Sequence, residues 1–96
     1  MIYANQFLKE KNILIMGVAN KRSIAWSIAL AFHAAGANLI FTYQDDRFKD
    51  KVQRLVDKNI PEANLIPCNV ADDMALDAMA LEIGNRWGHL DGLVHS

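Results

Sequence analysis

The fold of this chain is decided by the stretch Ile13-Leu-Ile-Met-Gly-Val-Ala-Asn-Lys-Arg-Ser-Ile-Ala25. An apolar run passes into a turn at Gly17, and a helix is predicted to begin after Ser23, a residue type that favours helix N-caps. In an α/β protein this order directs the first amides of the helix at a bound phosphate. The second and third glycines of G-x-G-x-x-G are missing, so the stretch indicates a nucleotide cofactor but leaves open an ordinary strand–helix loop.

Around this stretch, four apolar runs alternate with three segments of helical periodicity. The runs are Asn12–Met16, Asn38–Tyr43, Asn64–Cys68 and Gly92–Ser96. The first is apolar on both faces, as expected of a parallel strand buried between helices. The alternation therefore predicts βαβ units, a parallel sheet and right-handed crossovers.

Apolar residues at spacings of three and four predict the inward face of each helix. For the first helix they are Ile24, Ile28, Ala31, Phe32 and Ala35, with Gly36 as the stop. For the second they are Phe48, Val52, Leu55 and Val56, with the end at Asn59 and Pro61. For the third they are Leu76, Met79, Ala80, Ile83 and Trp87, with Met74 also in the core, a cap at Asp72 or Asp73 and a stop at Gly88.

One proline constrains the order of the strands. Pro67 lies inside the third run and cannot donate to a ladder, so this strand is predicted at a sheet edge. The prediction is an α/β fold with a Rossmann-like, doubly wound parallel sheet, its first four strands in the order 3-2-1-4 with three helices. Strand 4 would then form the other edge, where Leu93 and Val94 present unpaired backbone. We therefore expect residues 1–96 to be the N-terminal half of a single dinucleotide-binding domain, incomplete in this chain.

Composition excludes several function classes. The 96 residues are 52% apolar and carry a formal net charge of −1, with no basic face that would favour nucleic acid. The apolar runs are too short to span a bilayer. A secretory signal is not recognisable, and Cys68 is the only cysteine, so a reducing, cytoplasmic setting is expected.

The residues after the second strand bear on the choice of cofactor. They read Tyr43-Gln44-Asp45-Asp46-Arg47. Acidic groups here would bind the adenosine ribose and repel a 2′-phosphate, whereas Arg47 and Lys21 could accept that phosphate. A solvated loop that begins a helix is the simpler alternative for Asp45, Asp46 and Arg47.

Four motifs in order resemble the bacterial enoyl-acyl-carrier-protein reductases of fatty-acid synthesis, which are divergent short-chain dehydrogenases. They are Gly17-Val-Ala-Asn-Lys-Arg-Ser-Ile-Ala, Phe41-Thr-Tyr-Gln44, Cys68-Asn-Val70 and Asp91-Gly-Leu-Val-His-Ser96. The resemblance runs from about Phe7 to Ser96. It implies an NADH-dependent reduction of a trans-2-enoyl thioester carried on acyl carrier protein, with NADP as the less favoured cofactor, and a homotetramer.

The resemblance also implies roles for single residues. Gly17, Ser23 and Ile24 would hold the pyrophosphate and the neighbouring ribose. Gln44 would lie beside the adenosine ribose, Asn69 and Val70 beside the adenine, and Ser96 under the cofactor. Asn69 departs from the aspartate that the family usually has there, although its amide oxygen can still accept a hydrogen bond.

Catalytic residues are not predicted in this chain. The tyrosines and the lysine of the family would follow the fourth strand, and neither Tyr3 nor Tyr43 matches them. We therefore expect half a cofactor site and no activity from these residues alone. A metal site is not predicted, because the three histidines lack ligand spacing. Two alternatives stay open: another short-chain dehydrogenase that uses NADPH, and a non-catalytic module that senses dinucleotides.

Overall fold

The computed structural model describes residues 6–96, which form four parallel strands and three helices. In chain order they are β1 (Asn12–Met16), α1 (Ile24–Ala34), β2 (Asn38–Tyr43), α2 (Asp46–Asn59), β3 (Asn64–Pro67), α3 (Asp73–Trp87) and β4 (Gly92–His95). The strand order is β3-β2-β1-β4, and every pair is parallel. The predicted Rossmann-like, doubly wound arrangement of these elements is confirmed.

Strand β1 lies inside the sheet and is buried on both faces along its whole length. On one face, Ile13 and Ile15 belong to a core that α1 and α2 cover. On the other face, Leu14 and Met16 pack with residues of α3. The alternation of side chains along a strand thus explains why all four of these residues are apolar.

Strand β3 forms one edge of the sheet, as Pro67 predicts. Pro67 is the register partner of Tyr43. The N–H of the next residue, Cys68, points to β2, so the nitrogen of Pro67 faces the other side, where β3 has no neighbour among the described strands, and its missing N–H removes no bond. The predicted run included Cys68, which lies just after β3 but still donates its N–H to the Tyr43 carbonyl oxygen at 2.9 Å. Ser96 similarly lies just after β4. Strand ends commonly differ by one residue in this way.

The inward face predicted for α1 was right in part, because Phe32 packs against the core and Ala35, just after the helix, is buried. The buried residues of the helix are Ala25, Trp26 and Ala29, whereas Ile24 is 70% exposed and Ala31 is also exposed. Two alanines let the helix backbone approach the sheet, and the Trp26 ring fills the space above Phe41, with ring centroids 5.6 Å apart. An interior alanine carries too little hydrophobicity for a pattern of large apolar residues to find it.

Helices α2 and α3 follow their predicted faces more closely. Val52 and Val56 of α2 are buried, and so are Met79 and Ile83 of α3. Met74 was wrongly expected in the core and is 80% exposed. It precedes Met79 by five residues, which is about 140° around a helix, so the two side chains leave opposite faces.

The ends of α3 agree with the sequence. Asp72 is the N-cap, and its carboxylate accepts from the N–H groups of Met74 and Ala75. Gly88 ends the helix in the left-handed conformation, at a φ of 80°. Among residues 6–96, the helices are too short or too polar to cross a membrane.

Candidate cofactor-binding site

A cleft opens where the parallel strands end. It encloses about 240 Å³ and is lined by Met16, Gly17, Val18, Ala19, Thr42, Gln44, Phe48, Cys68, Val70, His95 and Ser96. In open α/β sheets, ligands bind outside the carboxyl ends of the strands, at the point where the strand order reverses. Here that point is β1, because the chain moves outward to β2 and β3 and then returns to β4.

Gly17 shapes the floor of the cleft. Its φ is +101°, and a Cβ built there would overlap the carbonyl oxygen of Ser96. Only glycine combines this backbone conformation with so close an approach to the end of β4. The turn after β1 therefore brings two predicted site residues into direct contact.

The Ser23 hydroxyl holds the loop between β1 and α1. Its Oγ accepts from the N–H of Ala19 at 3.0 Å and of Asn20 at 3.2 Å. The prediction of an N-cap was right for the position but wrong for the side chain, which makes no bond to a helix amide. The hydroxyl turns back because the two loop amides have no other acceptor among the described residues.

This arrangement leaves the first amides of α1 available. The Trp26 N–H is satisfied by the Ser23 carbonyl oxygen at 3.1 Å. Within the described part of the chain, the N–H groups of Ile24 and Ala25 have no acceptor. Together with the positive end of the helix dipole, two unpaired amides fit a phosphate group. Ile24 would contribute here through its backbone.

At the far end of the cleft, Gln44 and Asn69 are joined. Gln44 Nε2 donates to Asn69 Oδ1 at 2.9 Å. The same oxygen accepts from the Ala71 N–H at 3.0 Å. Val70 lies between Asn69 and Ala71 in the chain. It lines the cleft and is 39% exposed, so its side chain could contact a flat apolar ligand surface.

Asp45 and Arg47 form a closed pair at the start of α2. Asp45 caps the helix by accepting from the Arg47 N–H at 2.9 Å, and its Oδ2 lies 2.9 Å from Arg47 Nη2. These bonds lower the pKa of the Asp45 carboxyl and raise the pKa of the Arg47 guanidinium. The guanidinium also lies 5.5 Å from the centre of the Phe48 ring. The Arg47 guanidinium therefore contacts residues within two positions of it in the chain, Asp45 and Phe48.

Several lining residues were given no binding role by the sequence motifs, although all of them except Phe48 lie within those motifs. They are Val18, Thr42, Phe48, Cys68 and His95. Thr42 and Cys68 are buried, and burial together with the charge of Asp72 raises the pKa of the Cys68 thiol. Such a thiol stays protonated, in agreement with its interpretation as a packing residue. The positions of most of these residues at the carboxyl ends of parallel strands could have predicted that they lie at the cleft. The sequence would not have predicted what each of them does there.

The structure brings most of the predicted site residues to one place. Gly17, Gln44, Val70 and Ser96 line the cleft, Ser23 and Ile24 begin α1 beside it, and Asn69 contacts Gln44. Tyr43 is buried in β2, and Tyr3 lies outside the described residues. In residues 6–96, groups of three or more His, Cys, Asp or Glu that could hold a metal ion are not found.

Comparison with known proteins assigns the family. A family model described as enoyl-(acyl carrier protein) reductase matches residues 17–96. The chain belongs to the enoyl-acyl-carrier-protein reductase family. The match begins at Gly17, directly after β1, so it includes the glycine turn and the start of α1. It also includes the ends of β2, β3 and β4 at the cleft.

Individual members of the enoyl-acyl-carrier-protein reductase family are similar along nearly the whole chain. The enoyl-[acyl-carrier-protein] reductase [NADH] FabI of Salmonella typhimurium is 48% identical over 90 residues, covering 94% of this chain and 34% of the relative. The reductase of Anaplasma phagocytophilum, solved in complex with NAD, superimposes with a TM-score of 0.88 at 36% identity, covering 95% of this chain and 34% of that one. The Bacillus cereus reductase, solved with NADP+ and an indole naphthyridinone, gives 0.87 at 42% identity, covering 92% and 35%. The chain thus spans about a third of the length of the relatives it matches.

Proposed function

We propose that this chain supplies the adenosine and pyrophosphate part of the cofactor site of an NADH-dependent enoyl-acyl-carrier-protein reductase. The observation that carries the proposal is the pair of free amides at Ile24 and Ala25, which opens beside a cleft at the strand ends in a member of this family. The substrate would be a trans-2-enoyl thioester on acyl carrier protein, as the names of the relatives indicate.

The residues of this chain would bind and orient the cofactor. The Ile24 and Ala25 amides would donate to pyrophosphate oxygens, with the Ser23 hydroxyl fixing the loop beside them. Gln44 would accept from the adenosine ribose, Asn69 and Val70 would flank the adenine, and Ser96 would lie under the dinucleotide. When bound, the nicotinamide supplies the hydride for reduction of the enoyl double bond. The groups that activate the thioester would come from other residues of the complete polypeptide.

Two contacts favour NADH over NADPH. Arg47, the cation nearest the end of β2 in sequence, is held by Asp45, so it would have to break this pair to reach a 2′-phosphate. The Arg47 guanidinium also lies over the Phe48 ring, 5.5 Å from its centre, and this second contact holds it in the same turn. Both contacts oppose the use of Arg47 to bind a second phosphate at this end of the cleft.

The test is turnover by the complete natural polypeptide. We expect it to oxidise NADH when given a trans-2-enoyl thioester of acyl carrier protein, and to use NADPH less efficiently. Efficient reduction of a carbonyl compound with NADPH, without enoyl reduction, would instead support another short-chain dehydrogenase. Lys21, which lines a groove together with Lys51, Arg54 and Lys58, is the observation in this chain that favours NADPH. The NADP+ complex of the Bacillus cereus relative concerns the cofactor of an enoyl-acyl-carrier-protein reductase and does not favour a carbonyl substrate.

Dinucleotide binding without any turnover would support the remaining alternative, a non-catalytic module that senses the cofactor. Binding and turnover are separate measurements on the same preparation, so the two outcomes are distinguishable. The fold by itself does not choose between them, because one fold supports many functions.

We further propose that residues 1–96 form the N-terminal half of a single dinucleotide-binding domain. The support is the coverage of about a third of each relative, together with an apolar groove of about 630 Å³ between α3 and β4 that further elements could cover. A cytoplasmic homotetramer that binds neither nucleic acid nor membrane belongs to the same proposal. Gel filtration with light scattering of the complete polypeptide would test the tetramer.

A further inference from the structure

We infer that Asn69 is a positioning residue that fixes the orientation of the Gln44 amide and thereby sets the preference between NADH and NADPH. The inference rests on the proposed cofactor site and deepens it. It concerns a contact between two side chains, one after β2 and one after β3, in which Gln44 lines the cleft and Asn69 holds it.

The orientation of the Asn69 amide follows from a backbone bond. Ala71 N–H lies 3.0 Å from the Asn69 side chain and can only donate, so the atom it meets is the oxygen Oδ1. This bond closes a local turn of the kind that asparagine forms two residues before an amide. The oxygen of Asn69 is therefore fixed without reference to Gln44.

The orientation of the Gln44 amide follows in turn. A fixed acceptor at Asn69 Oδ1, 2.9 Å away, requires that Gln44 present its amino group Nε2 and not its carbonyl oxygen. The opposite orientation would place two acceptor oxygens against each other. The polar atom that Gln44 leaves for a ligand in the cleft is consequently Oε1.

This atom discriminates between the two cofactors. A carbonyl oxygen accepts from a ribose hydroxyl, which NADH offers at its 2′ position. The 2′-phosphate of NADPH carries only acceptors at neutral pH and a negative charge, so it is repelled by the same oxygen. If the amide were free to turn over, its amino group could donate to that phosphate, and the discrimination would be lost.

The experiment compares dissociation constants of NADH and NADPH for the complete natural polypeptide, expressed as the ratio of NADPH to NADH. Asn69→Ser is the decisive variant, because a serine hydroxyl can still accept from the Ala71 N–H but is too short to reach Gln44. We expect the ratio to fall about three- to tenfold, the range of one exchanged hydrogen bond. Asn69→Asp keeps an acceptor for both donors, so its ratio should equal or exceed that of the wild type.

A Gln44→Met background separates positioning from direct contact. The substitution removes the amide at nearly constant size, so the ratio should fall, and adding Asn69→Ser should change it no further. An unchanged ratio in Asn69→Ser, or an equal fall in both backgrounds, would overturn the inference. If Asn69→Ser does not fold, a fall in Asn69→Asp would overturn it, and a maintained ratio there with a fall in Gln44→Met would support it. A wild-type protein that binds neither dinucleotide would contradict the proposed function itself.

Discussion

Gly17 connects the local backbone of the first turn to the shape of the cleft. A side chain at this position would require an unfavourable φ and would displace the end of β4, because the carbonyl oxygen of Ser96 occupies the space of a Cβ. Both effects act on the same few atoms, so the turn tolerates no larger residue.

Gly17→Ala is therefore predicted to lower the free energy of unfolding by about 2 kcal/mol or more. Gly84→Ala is the matched control, because this glycine lies within α3 and a Cβ there would contact nothing within 4 Å. We expect the control to raise the free energy of unfolding by about 0.5–1 kcal/mol. Urea unfolding of both variants measures the difference, and equal effects would contradict this explanation of Gly17.

Ser23 acts on the cofactor through the loop that it holds. Ser23→Ala removes the acceptor of the Ala19 and Asn20 amides. We expect the dissociation constant of NADH to rise about three- to tenfold, since the loop beside the free helix amides is no longer fixed. Ser27→Ala, an exposed position in the same helix, should leave binding unchanged. Calorimetric titration checks both variants, and equal dissociation constants would argue against this role of Ser23.

At the scale of single elements, the cap of α3 is the clearest source of local stability. Asp72→Ala removes a carboxylate that accepts from the Met74 and Ala75 amides. The expected loss is about 1 kcal/mol of unfolding free energy. Asp77→Ala, exposed in the middle of the same helix, should change it by less than about 0.5 kcal/mol. Thermal or urea unfolding compares the two, and a larger loss from Asp77→Ala would contradict this assignment of the cap.

The start of β4 is tied to the start of β1 by a titratable group. Asp91 Oδ2 accepts from the Asn12 N–H at 2.7 Å and lies 3.2 Å from His89 Nε2. The backbone bond is the main reason why the pKa of Asp91 is lowered in the folded chain, and nearby His89 and Lys11 add to it. A lowered folded-state pKa means that the unfolded chain binds the proton more readily.

The contribution of Asp91 is therefore fully present above the ordinary carboxyl pKa of about 4 and is lost as the pH falls below it. Asp91→Asn can keep the acceptor without the charge. We expect the wild type to be more stable than this variant at neutral pH, and the difference to shrink as the pH is lowered toward 3. A difference that is constant over this range, measured by urea unfolding, would contradict the assignment.

How far the sequence predicted these elements depends on which residues carry the signal. Local rules predicted three features: the apolar runs of β1 and β2, the caps of α3 at Asp72 and Gly88, and the edge position of the strand that contains Pro67. These rules concern buried strands, helix capping and the missing N–H of proline. The inward face of α1 was predicted only in part, because the buried residues of the helix are two alanines and one tryptophan. The direction of the Ser23 hydroxyl depends on which amides lack partners, and such information is three-dimensional.

In the cleft, likewise, some features were predicted from the sequence and others were not. The residues that line it and were predicted lie directly after strands, where the topology brings chain ends together. The bond between Gln44 and Asn69 joins positions 25 residues apart, and no spacing rule in the sequence indicates it. The motifs therefore predicted several residues that line the cleft, whereas the hydrogen bonds among the predicted residues depend on the folded arrangement.

At the scale of the whole molecule, an apolar surface lies exposed beside β4, and the proposed domain organisation would explain it. Among the described strands β4 pairs only with β1, and Leu93 on it is 57% exposed. The groove between α3 and β4 is lined largely by apolar residues. An open edge beside such a groove favours association with other chains.

We therefore predict that residues 1–96 expressed alone associate as their concentration rises and bind a fluorescent dye specific for apolar surface. Leu93→Lys should reduce the association by placing a charge on the free edge. The complete polypeptide should bind less dye per chain, because further elements would cover the groove. Sedimentation velocity and dye titration test this, and a monomer without dye binding would contradict the proposed organisation.

The most direct test of the cofactor site is amide-resolved hydrogen exchange of the complete polypeptide with and without NADH. We expect NADH to slow exchange at Ile24 and Ala25, whose amides have no acceptor among the described residues, whereas Trp26, already bonded to the Ser23 carbonyl oxygen, should change little. Unchanged exchange at Ile24 and Ala25 under saturating NADH would show that the start of α1 does not hold the pyrophosphate and would contradict the proposed site.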